Sequence, residues 1–353
     1  MEVEEVLLAS PRGFCAGVEM AIKSLAWLVR VFDPPVYCYH QIVHNQVVVD
    51  RFSSLGVVFV DDVAEVPEGA PLMLSAHGSP PEIVTAARHR GGAVVNAVCP
   101  LVKKVHHEVK VRSAKGYTIV YVGHEGHHEA IGTMAVAPDA VHRVETVAEI
   151  EALPEPAGPV AFLAQTTLAV DEWQELLDTA QARWPDLWVP GHSDLCFATT
   201  NRQAALKAVA GRCDAVVVIG SGNSSNTLAL ERTARASGCA RVLRVDHAAE
   251  LPGDLAGTVG VIAGASAPEE LVEAVVARLA PRGGVEEVRA VDEDEYFPLP
   301  RELRDLLRRL ATAGAVAALA PGADPATGTG ALPDDRDLPA ALALAGLALG
   351  ARM

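Results

Sequence analysis

The sequence predicts an α/β fold with mainly parallel sheets, and three observations predict it. Short β-branched runs alternate with longer amphipathic stretches over most of the chain. Three cysteines, Cys15, Cys99 and Cys196, each stand just before a long helical pattern, at similar intervals. Polar clusters, most containing glycine, follow the strand-like runs, which is where open α/β sheets place their ligands.

The elements follow in order. Val6–Ala9 is a β-branched and aliphatic run that reads as the first strand. Val18–Val31 then sets Ile22, Leu25, Leu28 and Val29 on one helical face. Val36–Tyr39, Val57–Val60, Leu72–Ser75 and Ala93–Ala97 read as strands, and Leu101–Ala114 as a helix. Thr118–Val122 and Val160–Ala164 are strands before the helices Asp171–Trp184 and Thr200–Ala210. Ala215–Ile219, Arg241–Val245 and Thr258–Ala263 complete the strands, with helices over Asn226–Ala236 and Pro268–Leu279. The cysteine spacing divides the chain into three αβ units, expected at 1–99 (with the N-terminal strand), 100–195, and 196–310 with a return segment. From about residue 311 Ala, Gly, Pro and Leu dominate, and 311–353 reads as a flexible tail with one short helix at Leu338–Leu349.

Composition narrows the function. The chain has 353 residues, is 50% hydrophobic and carries a net charge of −16, so it has the apolar content for a large core. That acidity argues against nucleic-acid binding, which needs clustered Lys and Arg. No run approaches the ~20 apolar residues of a membrane span. The start, Met1-Glu2-Val3-Glu4-Glu5, is acidic where an export signal is basic, so a cytoplasmic protein is expected. Six cysteines in a chain of this size are too few for a disulfide scaffold, which leaves reactive thiols or metal ligation.

The polar clusters carry the candidate chemistry. They are His40–Asn45, Ser75–Gly78, Gly123–Glu129, Gln165–Thr167, Ser221–Asn226 and Gly264–Pro268. The last two share one pattern of strand, glycine, serine and helix. Amides at a helix start, with Ser and Asn side chains, form an anion nest, and His44 and His77 can add positive charge. The plainer reading is that the Ser and Asn residues cap helices. Glu129 is a proton donor if buried, and a solvated first-turn carboxylate if not. His106 and His107 read as surface residues beside Lys103 and Lys104. Cys38, Cys213 and Cys239 read as small core residues. Cys15, Cys99 and Cys196 at helix entrances favour ligation. They can hold zinc with a fourth ligand such as His, or a cubane iron–sulfur cluster with one iron lacking a protein ligand.

Taken in order, the motifs resemble one known family. Pro11-Arg12-Gly13-Phe14-Cys15-Ala16-Gly17-Val18, Val43-His44-Asn45, Ser75-Ala76-His77-Gly78 and Cys99-Pro100-Leu101-Val102 begin the match. Gly123-His124-Glu125-Gly126-His127, Gln165-Thr166-Thr167-Leu168 and Cys196-Phe197-Ala198-Thr199-Thr200-Asn201-Arg202-Gln203 continue it, and Asn223–Asn226 and Ala263–Pro268 end it. The chain resembles the 4-hydroxy-3-methylbut-2-enyl diphosphate reductases, the last enzymes of the methylerythritol phosphate route to isoprenoids, over roughly residues 5 to 310. The resemblance implies a trefoil of three αβ units around a central cavity and reductive loss of an allylic hydroxyl, giving isopentenyl and dimethylallyl diphosphate. It implies one 4Fe–4S cluster per chain on Cys15, Cys99 and Cys196, and a ferredoxin- or flavodoxin-type electron donor. It further implies diphosphate contacts from His44, His77, Ser224, Ser225, Asn226 and Ser266, with His127, Thr166 and the catalytic Glu129 at the hydroxyl end. The chain departs from the usual pattern at His128, where a proline commonly precedes the glutamate, and the tail has no counterpart in the shorter members.

Overall fold

The structure, a computed structural model, describes residues 1–90 and 92–312. The expected Leu338–Leu349 helix, and the tail beyond residue 312, lie outside the described residues. The chain divides into two compact units. One comprises Met1–Cys15 with Leu101–Asp294, and the other Ala16–Pro100 with the segment from Glu295.

In the first unit a five-stranded parallel sheet is built from β1 (Glu2–Ser10), β9 (Ala215–Ile219), β10 (Val242–Val245), β11 (Ala256–Ala263) and β12 (Val285–Arg289), ordered β10-β9-β11-β1-β12. Its central strands are apolar on both faces, as helix-covered parallel strands must be. Ala215, Val217 and Ile219 enter one core cluster, and the alternating Val216 and Val218 enter another with Leu206 and Val209. A three-stranded parallel sheet of β6 (Thr118–Val122), β7 (Val141–Val144) and β8 (Val160–Ala164), ordered β7-β6-β8, repeats the device. Val120, Val122 and Phe162 face one cluster, while Ile119, Tyr121 and Leu163 face the other. The helices of this unit include α5 (His128–Met134), α7 (Val170–Arg183), α8 (Phe197–Ala210), α9 (Ser225–Ala236) and α10 (Glu269–Leu279).

The second unit holds a four-stranded parallel sheet of β2 (Val36–Tyr39), β3 (Val57–Val60), β4 (Leu72–Leu74) and β5 (Val94–Asn96), ordered β3-β2-β4-β5. It also contains α1 (Ala16–Val31), α2 (Gln46–Ser54), α3 (Pro81–His89) and α11 (Arg301–Thr312), which buries Leu303 and Leu307. α4 (Pro100–Ala114) lies in the first unit apart from Pro100, and α6 (Val147–Ala152) also belongs to the first unit.

The predicted α/β class with parallel sheets is therefore the observed one. The structure adds β7, β12 and the helices α2, α3, α5, α6 and α11. β12 (Val-Glu-Glu-Val-Arg) is exposed along nearly all its length and shows no apolar face; it exists because its backbone pairs with β1 at the sheet edge. One expectation is corrected. His106 is not a surface residue: it is half-buried in α4 and burial pushes its imidazole down to about 4, whereas the adjacent His107 is exposed. Cys38 and Cys239 are buried as expected, and Cys213 is only half-buried.

Candidate active site

Two pairs of turns at the C-terminal edges of the first unit's sheets build most of the site. β6 and β8 end on paired residues, Val122 opposite Ala164. Directly after them stand Gly123 and Gln165. Gly123 admits no side chain, because a Cβ there would lie 2.6 Å from the Tyr121 ring. Gln165, fully buried, ties the turns together: its N–H donates to the Val122 carbonyl (2.7 Å), its Oε1 accepts from the His124 amide (3.0 Å), and its Nε2 donates to Thr167 Oγ1 (2.9 Å). The chain can then turn through His124–His127 and enter α5.

Glu129 sits in the first turn of α5 and is 3% exposed. Both its oxygens are held by one residue. The Thr166 amide donates to Oε1 (2.8 Å) and the Thr166 hydroxyl to Oε2 (3.0 Å). Burial pushes the carboxyl up to about 7; the two Thr166 bonds pull it down, and the nearby Asp194 charge raises it slightly more. The solvated-carboxylate reading is thereby excluded, and the group is poised to hold or release a proton near neutrality. His127 caps α5, its Nδ1 accepting from the Glu129 amide (3.2 Å). That bond places the proton of the neutral ring on Nε2. Burial, with smaller contributions from His124 and His128, pushes His127 down to about 4, so the ring is a neutral donor at physiological pH.

The same threonine reaches the first thiol. The Thr166 carbonyl accepts from the Cys196 amide (3.0 Å). Cys196 is the N-cap of α8, its Sγ accepting from the Thr199 amide at 3.3 Å and lying 3.0 Å from Thr199 Oγ1. Burial pushes this thiol up to about 12, and the charge of Cys15 is the next cause. A thiol desolvated in this way needs a nearby positive charge to ionise, and a bound metal would supply it. Cys15 donates its amide to Ala265 (3.1 Å) and directly precedes α1, as Cys99 directly precedes α4. Three half-buried thiols, each at a helix entrance, fit a thiolate-ligated metal group by their chemistry.

The other pair of turns follows β9 and β11, whose last residues, Ile219 and Ala263, are again partners. Gly220 and Gly264 come next, and a Cβ at either would lie 2.5 or 2.4 Å from Thr227 Oγ1, so both turns need glycine to close over that buried hydroxyl. Ser224 caps α9 by accepting from the Thr227 amide (3.3 Å). The capping reading is therefore correct for its oxygen, and its O–H remains as a donor. Asn226 braces the two turns: its Oδ1 accepts from the Ala265 amide (2.9 Å) and its Nδ2 donates to Thr199 Oγ1 (3.4 Å). Ser225 donates to the Thr167 carbonyl (3.4 Å), and Ser266 is buried in the second turn. One chain of contacts thus runs from Cys15 through Ala265, Asn226, Thr199 and Cys196 to Thr166 and Glu129.

In the second unit, His44 and His77 stack with ring centroids 3.9 Å apart and planes at 22°. Asn45 caps α2 through the Val48 amide (3.3 Å), fixing the turn that carries His44. The β4–β5 ladder continues past both strands, Ala97 donating to Leu74 and Cys99 to Ala76, each at 3.0 Å. Cys99 is held in this way beside the turn bearing His77.

Other residues also build the site. Thr199, Gln165 and Arg202 lie inside the sequence motifs, but their residue types alone point to no role. Asp194 gave no signal beyond its nearness to Cys196. Its Oδ2 accepts from the Ala164 amide (3.1 Å), Lys104 lies 3.7 Å from Oδ1, and burial pushes it up to about 6.

Comparison with known proteins identifies the family. The chain matches the family described as LytB protein over residues 6–280. A 4-hydroxy-3-methylbut-2-enyl diphosphate reductase of Rhodopirellula baltica is 45% identical over 306 residues, covering 85% of this chain and 96% of the relative. One from Paracoccus denitrificans is 46% identical over 307 residues, covering 84% and 96%. Among solved structures, the E-1-hydroxy-2-methyl-but-2-enyl-4-diphosphate reductase of Plasmodium falciparum superposes with a TM-score of 0.84 at 30% identity, covering 88% of this chain and 99% of that one.

Proposed function

The chain belongs to the LytB protein family, and from that premise we propose that it reduces 4-hydroxy-3-methylbut-2-enyl diphosphate to isopentenyl and dimethylallyl diphosphate. In this reaction an allylic C–O bond breaks, a C–H bond forms, and two electrons and two protons are consumed as water leaves. The observation that carries the reading is the buried Glu129, gripped at both oxygens by a threonine whose carbonyl holds Cys196.

Hydroxide is a poor leaving group, so the site must protonate it. Glu129 retains its proton up to about pH 7 and gives it to the departing oxygen. Thr166 keeps the carboxyl in one orientation, and neutral His127 offers Nε2–H to the same oxygen. Ser224, Ser225, Asn226 and Ser266, with His44 and His77, bind the diphosphate. Binding energy from that unreactive end fixes the hydroxyl near Glu129. Neutral donors suit an anion that must leave after turnover. When held by Cys15, Cys99 and Cys196, one 4Fe–4S cluster per chain supplies electrons singly and an iron with no protein ligand as a Lewis acid. The electrons come from a ferredoxin- or flavodoxin-type donor. No described helix is long and apolar enough to cross a membrane.

Anaerobic purification tests this directly. Iron, acid-labile sulfide and substrate reduction with an artificial one-electron donor are expected. A colourless chain carrying one zinc and showing no reduction would overturn the reading.

A further inference from the structure

The turn that carries Cys15 has its backbone groups accounted for in two directions. Gly13 and Cys15 donate their amides to the carbonyls of Ala263 (3.3 Å) and Ala265 (3.1 Å). The carbonyls of Gly13 and Phe14 turn instead to a single side chain, Arg202. Gly13 makes this possible by adopting φ +68°, where a side chain would be strained and a Cβ would press on the Ala267 carbonyl at 3.2 Å. Arg12 anchors the outer end of the turn through Glu269, at 2.6 and 3.0 Å.

Arg202 lies in the second turn of α8, the helix that Cys196 caps, and is 1% exposed. Its side chain runs back towards the helix N-terminus, as helical side chains tend to do. Nε and Nη2 both donate to the Gly13 carbonyl, at 3.1 and 2.8 Å, and Nη2 also reaches Phe14 O at 3.3 Å. Nη1 donates to Ala198 O at 3.0 Å and to both Glu293 oxygens at 3.1 Å. Asn201 holds the same carboxylate from the neighbouring position, at 3.0 Å. A buried ion pair is a poor way to gain stability, because apolar residues of similar volume fill such a space at lower desolvation cost. The guanidinium fork does what no apolar side chain can: it joins a turn, a helix terminus and a carboxylate through one side chain. Lysine, a point charge with three donors, cannot span the set.

We propose that Arg202, seated by Glu293, is the positioning residue of the thiol pair, locking the Cys15 turn onto the helix of Cys196. The locking is a property of the chain itself; its consequence for a cluster rests on the function proposed above. In the loaded protein, Arg202 keeps the two ligands from relaxing apart and slows release of iron.

The test uses the full-length chain and its Arg202→Lys and Glu293→Gln variants, with far-UV circular dichroism as a check on folding. Bismaleimidoethane is applied after iron removal, and the bridged Cys15–Cys196 peptides are quantified by mass spectrometry. Bridging is expected in the parent, much reduced in Arg202→Lys and intermediate in Glu293→Gln. In the loaded chains, iron release to a chelator is expected to quicken about 10–100-fold for Arg202→Lys, with a shifted cluster reduction potential and paramagnetic spectrum. Should Arg202→Lys fail to fold, Glu293→Gln decides, since it keeps the guanidinium and loosens its seat. Unchanged bridging, potential and iron release, with only a lower melting temperature, would reduce Arg202 to a structural role and overturn the proposal. No bridged peptide in the parent would overturn it as well. A parent that binds no iron yet bridges its thiols in an Arg202-dependent way would sink the cluster reading and leave the positioning role standing.

Discussion

The two turn pairs of the first unit are built alike and tuned oppositely. Each follows the last paired residues of adjacent parallel strands, Val122 with Ala164 and Ile219 with Ala263, and each needs glycine for close approach. The β6/β8 pair encloses one carboxyl whose two oxygens are held by Thr166, and burial raises its proton affinity. The β9/β11 pair encloses hydroxyls and an amide, which change no charge between pH 5 and 8. The lesson is that one backbone device serves either proton transfer or anion binding, and the side chain enclosed chooses between them. Asn226 and Thr199 join the two ends, so the division of labour is separable but not independent.

Substitutions can break or sharpen that contrast. The largest effect is expected at the proton end: Glu129→Gln should cut turnover about 10²–10⁴-fold under anaerobic assay. Iron content and substrate affinity should be nearly unchanged. Comparable loss of affinity would mean that the carboxyl serves binding instead. At the anion end, Asn226→Ala strands the Ala265 amide and removes a donor, each costing about 1–3 kcal/mol. KM should rise more than tenfold while kcat falls less.

Smaller effects read the electrostatics. Wild-type turnover should fall as pH rises through about 7, as Glu129 ionises. Thr166→Val removes a donor to the charged carboxylate, so the alkaline limb should move upward by about one unit. A limb that moves down or stays fixed would show that Glu129 is not the titrating group. The smallest effect is on stability. Folded Glu129 keeps its proton to about 7 whereas a free glutamate releases it near 4.5. Between those values the folded state binds more protons than the unfolded state, so the contribution of Glu129 to stability falls as pH rises. Glu129→Gln should lose less melting temperature than wild type between about pH 5 and 8. Parallel melting curves would contradict the burial argument.

Much of this was legible in the chain because it depends on local pattern. Strands such as Thr118–Val122 and Ala215–Ile219 are apolar on both faces and announce themselves. Each of the predicted polar clusters does follow a strand. What was not legible depends on long-range pairing. β12 has no apolar face, α5 is only seven residues long, and the role of Arg202 rests on carbonyls nearly two hundred residues away. The protonation of Glu129 was likewise conditional, since sequence offers the carboxyl but only packing removes its water.

Infrared difference spectroscopy across a pH titration, comparing wild type with Glu129→Gln, tests the central claim most directly. A protonated-carboxyl band that disappears in the variant and loses half its intensity near pH 7 is the predicted result. A Glu129 carboxyl already ionised at about pH 5, like an ordinary surface glutamate, would contradict the account.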